Sequence, residues 1–189
     1  MNAHDYAALF LEETRQIAEQ IDQSAIAAAI DLLQDLKQRE GRLFILGVGG
    51  SAANASHAVN DFRKIAQIET YAPTDNVAEL TAWVNDVSWE AVFINWLKTS
   101  HLRADDALLI LSVGGGTANT SANLVQAMDH AKSVGAKVLA IVSRDGGYAR
   151  QVADVTVLIP VVSQERITPH AESWQAVVWH MIVNALVAL

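Results

Sequence analysis

The chain has 189 residues, 51% of them hydrophobic, with 13 basic against 21 acidic side chains, a formal charge of −8 and no cysteine. A chain of this size fills one core, so a single domain over 1–189 is expected, and its acidity disfavours nucleic acid, whose phosphates reward clustered Lys and Arg. Without Cys there are no disulfides, thiolate metal sites or Cys nucleophiles, so any metal must be held by His and carboxylates.

The first residues, MNAHDYAALFLEETR, carry acids where a secretory leader has basic residues, and no apolar stretch reaches the roughly 18 residues that span a bilayer. A cytoplasmic protein with no membrane partner is the expectation. Apolar residues at helical spacing (Leu9, Phe10, Ile17, Ile21, then Ile26, Ile30, Leu33, Leu36) predict two helices over 3–39, broken near Asp22-Gln23-Ser24. From residue 40 onward, short β-branched runs alternate with helical patterns. The predicted strands are 42–48, 68–71, 107–113, 137–143 and 155–161, and the predicted helices 51–66, 75–84, 88–100, 121–133, 147–152 and 170–188. Nearly continuous apolar strands suit a sheet buried on both faces, so the expected fold is a three-layer α/β domain with a five-stranded parallel sheet and an N-terminal helical hairpin. The five Trp (83, 89, 96, 174, 179) fall in predicted helices and read as core or subunit contacts.

In such sheets ligands bind beyond the carboxyl ends of the strands, which here carry four loops where polar residues concentrate, at 47–54, 112–121, 143–147 and 160–173, the first three also containing glycines. In the first, Gly47-Val48-Gly49-Gly50-Ser51 joins a strand to a helix, where backbone amides and the Ser51 hydroxyl suit a phosphate. The bland alternative is a tight turn with Ser51 as a helix cap. A rival is the dinucleotide fingerprint, met by Gly47, Gly49 and Ala52 with Glu69 lying 22 residues beyond Gly47. The second loop separates the two: Ser112, Thr117, Thr120 and Ser121 offer hydroxyls for phosphate oxygens, and a dinucleotide has no use for a second glycine-rich turn.

His57 and Asp61 are four apart and share a helix face, which suits a metal, a shared proton or an ordinary surface pair. Glu172 and His180 lie on the last helix, eight residues or about 12 Å apart, too far to reach one metal unless the helix begins late or the side chains stretch. His170 reads as a cap or loop residue, and Asn85-Asp86 and Arg144-Asp145-Gly146-Gly147 as turns.

Together these loops resemble the sugar isomerase (SIS) family and, within it, the phosphoheptose isomerases. The resemblance is carried by GVGGSAANASH at 47–57, ELTAWVNDVSWEAVF at 79–93, SRDGGYARQVADV at 143–155 and the last helix ending its motif at His180. It implies a ketose–aldose isomerase of a phosphorylated sugar such as sedoheptulose 7-phosphate, a homotetramer with sites between subunits, often a zinc ion, and no nucleotide cofactor. It also implies roles: Gly49, Gly50, Ser51, Ser112, Thr117, Thr120 and Ser121 at the phosphate, Asp86 at the sugar, Asp61, Glu172 and His180 in catalysis, and His57, Asp61, Glu172 and His180 as the metal set. Three positions depart from the family. Val48 replaces its Asn, the phosphate loop reads SVGGG with about four extra residues before Ser121, and Asp61 replaces a Glu, roughly 1.5 Å of reach, where errors near 1 Å can cost about 100-fold in rate. Either Asp61 or Glu172 is then the candidate base. A sugar-phosphate sensor or protein-docking regulator of the same fold is the non-catalytic alternative.

Overall fold

The computed structural model describes residues 1–189. Two helices open the chain, α1 (Ala3–Gln20) and α2 (Gln23–Gln38). The break between them is a capping event: the Asp22 carboxylate accepts hydrogen bonds from the amides of Ser24 (2.8 Å) and Ala25 (3.3 Å), donors that α2 itself cannot satisfy. The alternating part follows as β1 (Leu43–Gly47), α3 (Gly50–Lys64), β2 (Thr70–Tyr71), a 3₁₀ turn (Pro73–Asp75), α4 (Val77–Asp86), α5 (Val92–Thr99), β3 (Ala107–Leu111), α6 (Ala122–Val134), β4 (Lys137–Val142), α7 (Gly147–Val152), β5 (Val155–Leu158) and α8 (Ile167–Ala188). No helix is long and apolar enough to cross a membrane.

The five strands are all parallel, in the order β2-β1-β3-β4-β5. Alternate side chains of each strand feed two separate cores. Leu43, Ile45, Leu109 and Ile141 meet Leu33, Phe62 and Trp179 on the α2/α3/α8 side, while Phe44, Leu46, Leu108 and Ile110 meet Phe93, Leu97 and Met128 on the α5/α6 side. Burial on both faces is why these strands are apolar at every position. From β1 the chain crosses by α3 to β2, and from β3 it crosses by α6, on the other face, to β4. The connections therefore diverge at the carboxyl ends of β1 and β3, where Gly47 stands level with Leu111 and a crevice opens. The amino ends are tied shut instead: the fully buried Asp106 accepts hydrogen bonds from the Arg42 guanidinium and from the amides of Arg42 and Arg103.

Several boundaries differ from the expected ones. The strands stop short of their apolar runs because the last residues of each run turn into the loops above the sheet. β2 keeps only Thr70 and Tyr71, since Ile68 donates its amide to Phe62 in leaving α3. Helix α4 begins at Val77 behind an Asn76 cap and runs to Asp86, so Asn85-Asp86 ends a helix rather than forming a turn between two. Trp89 lies in the turn before α5, partly exposed, and not in a helix. Helix α8 starts three residues early, at Ile167. Pro169 sits in its first turn, where a missing amide leaves nothing unsatisfied.

That early start makes His170 neither cap nor loop ligand. It is 3% exposed, stacks on Phe10 with ring centroids 4.4 Å apart, and its Nε2 lies 2.8 Å from the Glu13 carboxylate. Glu13, buried in α1, also takes two hydrogen bonds from Arg166, at 2.7 and 2.8 Å. Those bonds from Arg166, opposed by burial and helped by His170, lower its pKa from 4.5 to about 2. Because the folded-state pKa is depressed, the stabilisation is complete above about pH 4.5 and fades as pH falls towards about 2. Glu13→Ala is expected to cost about 3 kcal/mol in chemical denaturation at pH 7, as for one partner removed from a buried ion pair. The difference between Glu13→Gln and wild type should shrink through that acid window.

Candidate active site

The crevice at the ends of β1 and β3 is a cleft of about 870 Å³. Its walls include Ser51 from α3, Ser112, Thr117, Thr120 and Ser121 from the loop after β3, Arg144 and Asp145 from the loop after β4, and Gln164, Thr168 and Glu172 from the β5–α8 segment. Gly47 packs so closely on the first turn of α3 that a Cβ would lie 2.4 Å from the Ser51 carbonyl oxygen. Gly49, at φ +63°, then turns the backbone into α3. Ser51 is inside α3 rather than capping it, and neither its hydroxyl nor the amides of Gly50 and Ser51 has a partner within the chain.

The second loop is built on the third. Gly115 approaches the Gly146 carbonyl oxygen so closely that a Cβ would stand 1.9 Å from it, and the amides of Tyr148 and Ala149 donate to the Gly116 and Gly115 carbonyls, both at 2.9 Å. The residues beyond Gly116 fold into a tight turn in which the Thr117 hydroxyl accepts from the amides of Asn119 (3.3 Å) and Thr120 (3.0 Å). Ser121 precedes α6 in the left-handed region, φ 56°, and its side chain makes no cap, while the amides of Ala122 and Asn123 are unpaired. Two helix starts with free amides, α3 and α6, thus face one cleft lined with hydroxyls, an arrangement that suits an anion.

The ionisable residues divide into two groups. Helices α3 and α8 pack side by side in parallel: Glu172 lies against Gly50, where a Cβ would meet its carboxyl carbon at 2.5 Å, Asn54 donates to the Glu172 carbonyl and to Gln175, and His57 meets Trp179. Three turns along, Asp61 Oδ2 lies 3.8 Å from His57 Nε2 and 3.6 Å from His180 Nε2. The ligand atoms of these three residues are all within 4.8 Å of one another. His180 Nδ1 must donate to the Ala176 carbonyl at 2.7 Å, which leaves the Nε2 lone pair of the neutral ring facing Asp61. Trp179 stacks on that ring with centroids 3.5 Å apart and fixes its plane.

Of the residues singled out by sequence, Ser51, Ser112, Thr117, Thr120, Ser121 and Glu172 share the cleft. His57, Asp61 and His180 form the separate trio, and Glu172 is not part of it, because the unbroken α8 holds it about 12 Å from His180. Gly49 and Gly50 shape the start of α3 and do not line the cleft. Asp86 is exposed at the end of α4, its carboxylate accepting from Asn85 at 2.8 Å, and it too is outside the cleft. Glu69 precedes β2 and its carbonyl pairs with Leu43 at the start of β1, the end of the sheet away from the cleft, so the glycine fingerprint has no acid beside it. Arg144 reads from sequence only as part of a turn, and Gln164 and Thr168 carry no motif of their own; their position in loops leaving strand carboxyl ends was the available signal.

Residues 5–143 match the SIS domain family. The chain belongs to that family. The lincomycin biosynthesis protein LmbN of Streptomyces lincolnensis is 30% identical over 187 residues, 93% of this chain and 66% of that protein. The phosphoheptose isomerase of Chlorobium phaeobacteroides is 30% identical over 159 residues, 80% of this chain and 68% of the relative, so the chain spans about two thirds of either. The structure of the phosphoheptose isomerase from Neisseria gonorrhoeae superposes with a TM-score of 0.84 at 27% identity, covering 98% of each chain. Within the SIS family this similarity groups the chain with the phosphoheptose isomerases, and hence with the isomerases.

In this SIS domain the trio of two imidazoles and one carboxylate, with His57 and His180 side chains 59% and 45% exposed, is a donor set that three-ligand transition-metal sites use, with room for a further ligand. Titration with Co²⁺, followed by its visible absorption and by Trp fluorescence, is expected to show one site per chain. His180→Ala and Asp61→Asn should weaken it by roughly 100-fold or more, beyond the usual effect of a supporting residue. Glu172→Gln should leave it within a few-fold.

Proposed function

We propose that the chain interconverts a ketose phosphate and its aldose, with sedoheptulose 7-phosphate the expected substrate, on a site divided as the ionisable residues are divided. The observation that carries this is the pairing of Asp61 with His180 at 3.6 Å, displaced along α3 from an anion-binding cleft. His57 is seven residues beyond Gly50, about 10 Å of helix, and Asp61 one turn further. An extended seven-carbon chain with its phosphate is of comparable length, so the phosphate in the cleft and the C1–C2 end at the trio belong to one ligand.

Isomerisation removes a proton from C1, moves the electron pair to O2 as that oxygen is protonated, and then returns a proton to C2 as O1 gives up its own. A base and an acid acting on adjacent atoms must stand within a few ångströms of each other. Asp61 and His180 do, whereas Glu172 and His180 are about 12 Å apart on α8. Asp61 is therefore the base, carrying the proton from C1 to C2, and His180 in its imidazolium form, with Nδ1–H on the Ala176 carbonyl and a second proton on Nε2, is the acid that protonates O2 and recovers the proton that O1 gives up. Glu172, beside Gly50, is left to bind a hydroxyl between phosphate and reacting carbons. Zinc fits the trio, with His57, Asp61 and His180 as its ligands, and if bound would take the place of the Nε2 proton of His180 by supplying Lewis-acid polarisation of the substrate oxygens.

We further propose a homotetramer in which Asp86 of one copy reaches the sugar in another. Its own protomer does not bring Asp86 to the cleft, and Val77, Val84, Val87 and Trp89 around it are exposed.

Proton NMR in D2O with sedoheptulose 7-phosphate, with zinc and after chelation, is expected to show the aldose appearing, with solvent deuterium at C2 in those turnovers where the proton on Asp61 exchanges before its return. Asp61→Asn should lower kcat by about 100- to 10,000-fold, the contribution of a general base, and Glu172→Gln should raise KM more than it lowers kcat. Turnover intact in Asp61→Asn but lost in Glu172→Gln would transfer the base role to Glu172. Tight binding of the sugar phosphate with neither aldose formed nor deuterium exchanged in any sample would make the chain a sensor.

A further inference from the structure

The phosphate end of the cleft has an electrostatic deficit. The chain carries a net charge of −8, and Glu172 and Asp145 both line the cavity. A sugar phosphate brings up to two more negative charges, and the hydroxyls and free amides facing it are neutral groups. The loop that supplies most of those hydroxyls also departs from the family at Val113-Gly114-Gly115-Gly116, where side chains that could bond phosphate are absent.

Arg144 is the one cationic side chain in the wall of this cleft. It is exposed, and its guanidinium makes no hydrogen bond or ion pair within the chain, although an acid is next to it in sequence: the Asp145 carboxylate is turned away to accept from the amide of Gly147 at 3.1 Å. Its side chain lies over Gly114, whose missing Cβ would stand 3.9 Å from Arg144 Cδ, so the glycine loop leaves the guanidinium free passage to the cavity. Its backbone is in the left-handed region at φ 57°, where glycine is the residue of lowest strain. The loop thus holds a strained arginine, unpaired, at the mouth of a hydroxyl-lined cleft, while two of the other arginines, Arg42 and Arg166, are spent on buried carboxylates.

We infer that Arg144 is a substrate-positioning residue, the counter-charge that clamps the terminal phosphate against Ser51, Ser112 and Ser121 and so sets the distance at which the far end of the sugar meets the trio. The inference rests on the proposed sugar-phosphate reading for its substrate, but not for its ligand, which is a phosphate group whether carried by a sugar or free. Guanidinium is suited to this by its fork of donors, which binds two phosphate oxygens at once, and a lysine in its place keeps charge without that geometry.

The test is calorimetric titration with inorganic phosphate and with sedoheptulose 7-phosphate against wild type, Arg144→Gln, Arg144→Lys and Arg144→Gly. The expected result is a loss of phosphate affinity of roughly 10- to 100-fold in Gln and Gly, with Lys intermediate, and a KM for the sugar phosphate that rises more than kcat falls. Arg144→Gly secures the fold, because it relieves the left-handed backbone: its thermal midpoint should equal or exceed that of wild type while its phosphate affinity falls. Unchanged affinity for both ligands in Arg144→Gly would overturn the inference, and turnover with an unchanged KM would do so while leaving the isomerase reading intact. Loss of phosphate binding in an otherwise non-isomerising protein would sink the isomerase reading and uphold the role of Arg144.

Discussion

The arrangement of charge in this molecule depends on α3 and α8 lying in parallel register against one face of the sheet. Four contacts fix that register: Glu172 over Gly50, Gln175 on Asn54, Trp179 against His57, and His180 beside Asp61. Because both helices advance about 1.5 Å per residue, the contacts follow one another along the pair, and no side chain of α3 can serve both the Glu172 end and the His180 end of α8. Glu172 belongs to the level of the strand ends and the cleft, His180 to a level about 12 Å further on. Buried Trp179, packed in the core between the helices and the sheet, sets the spacing, and its ring doubles as the surface on which His180 lies flat.

The N-terminal helices enter this scheme from the other side of α8. Arg166, one residue before α8, and His170, in its first turn, both end on Glu13 of α1, so the point at which α8 begins is anchored by a buried carboxylate. Two residues beyond His170 on the same helix is Glu172, in the cleft wall. Loosening Glu13 would therefore be felt at the cleft before it reached the trio, because the lower part of α8 is held independently by Val178, Ile182 and Val183 in the core.

The sheet and its layers were legible because both depend on composition over short windows: uninterrupted apolar runs for strands buried twice, and polar glycine loops after β1, β3 and β4. The hydroxyl cluster at Ser51, Ser112 and Ser121 was legible for the same reason, since each follows a strand. What the linear chain did not disclose was register between elements. Whether Glu172 joins His57, Asp61 and His180 turns on where α8 starts, and Pro169 reads as a boundary from sequence although it occupies the first turn. The partner of His170 lies 157 residues away in Glu13, beyond any local pattern. Arg144 shows a different limit: Arg-Asp-Gly-Gly is turn chemistry, and the turn is real, but only its docking on Gly114–Gly116 turns the guanidinium from a solvated side chain into part of a wall.

The shortened carboxylate at position 61 bears on how such a site tolerates change. Loss of one methylene does not prevent convergence within the trio, since Asp61 Oδ2 reaches to within 4 Å of both imidazoles and Asn60 holds its other oxygen at 2.8 Å. The gap instead falls on the side away from the imidazoles, between the carboxylate and whatever it acts on. A substrate can close such a gap by sliding towards α3 only if its other end moves as well, and the longer loop after β3, docked on Gly146 and Gly147, is the element that sets where that end is held. Two of the three departures from the family pattern, the loop and the acid, would therefore act on opposite ends of one ligand under the proposed reading. The insertion would reposition a phosphate, and the shorter acid would change where the reacting carbons must lie. In a site whose ends share a rigid helix pair, a change at one end calls for compensation at the other, so under the proposed reading the positioning of the phosphate would decide whether Asp61 is close enough to act.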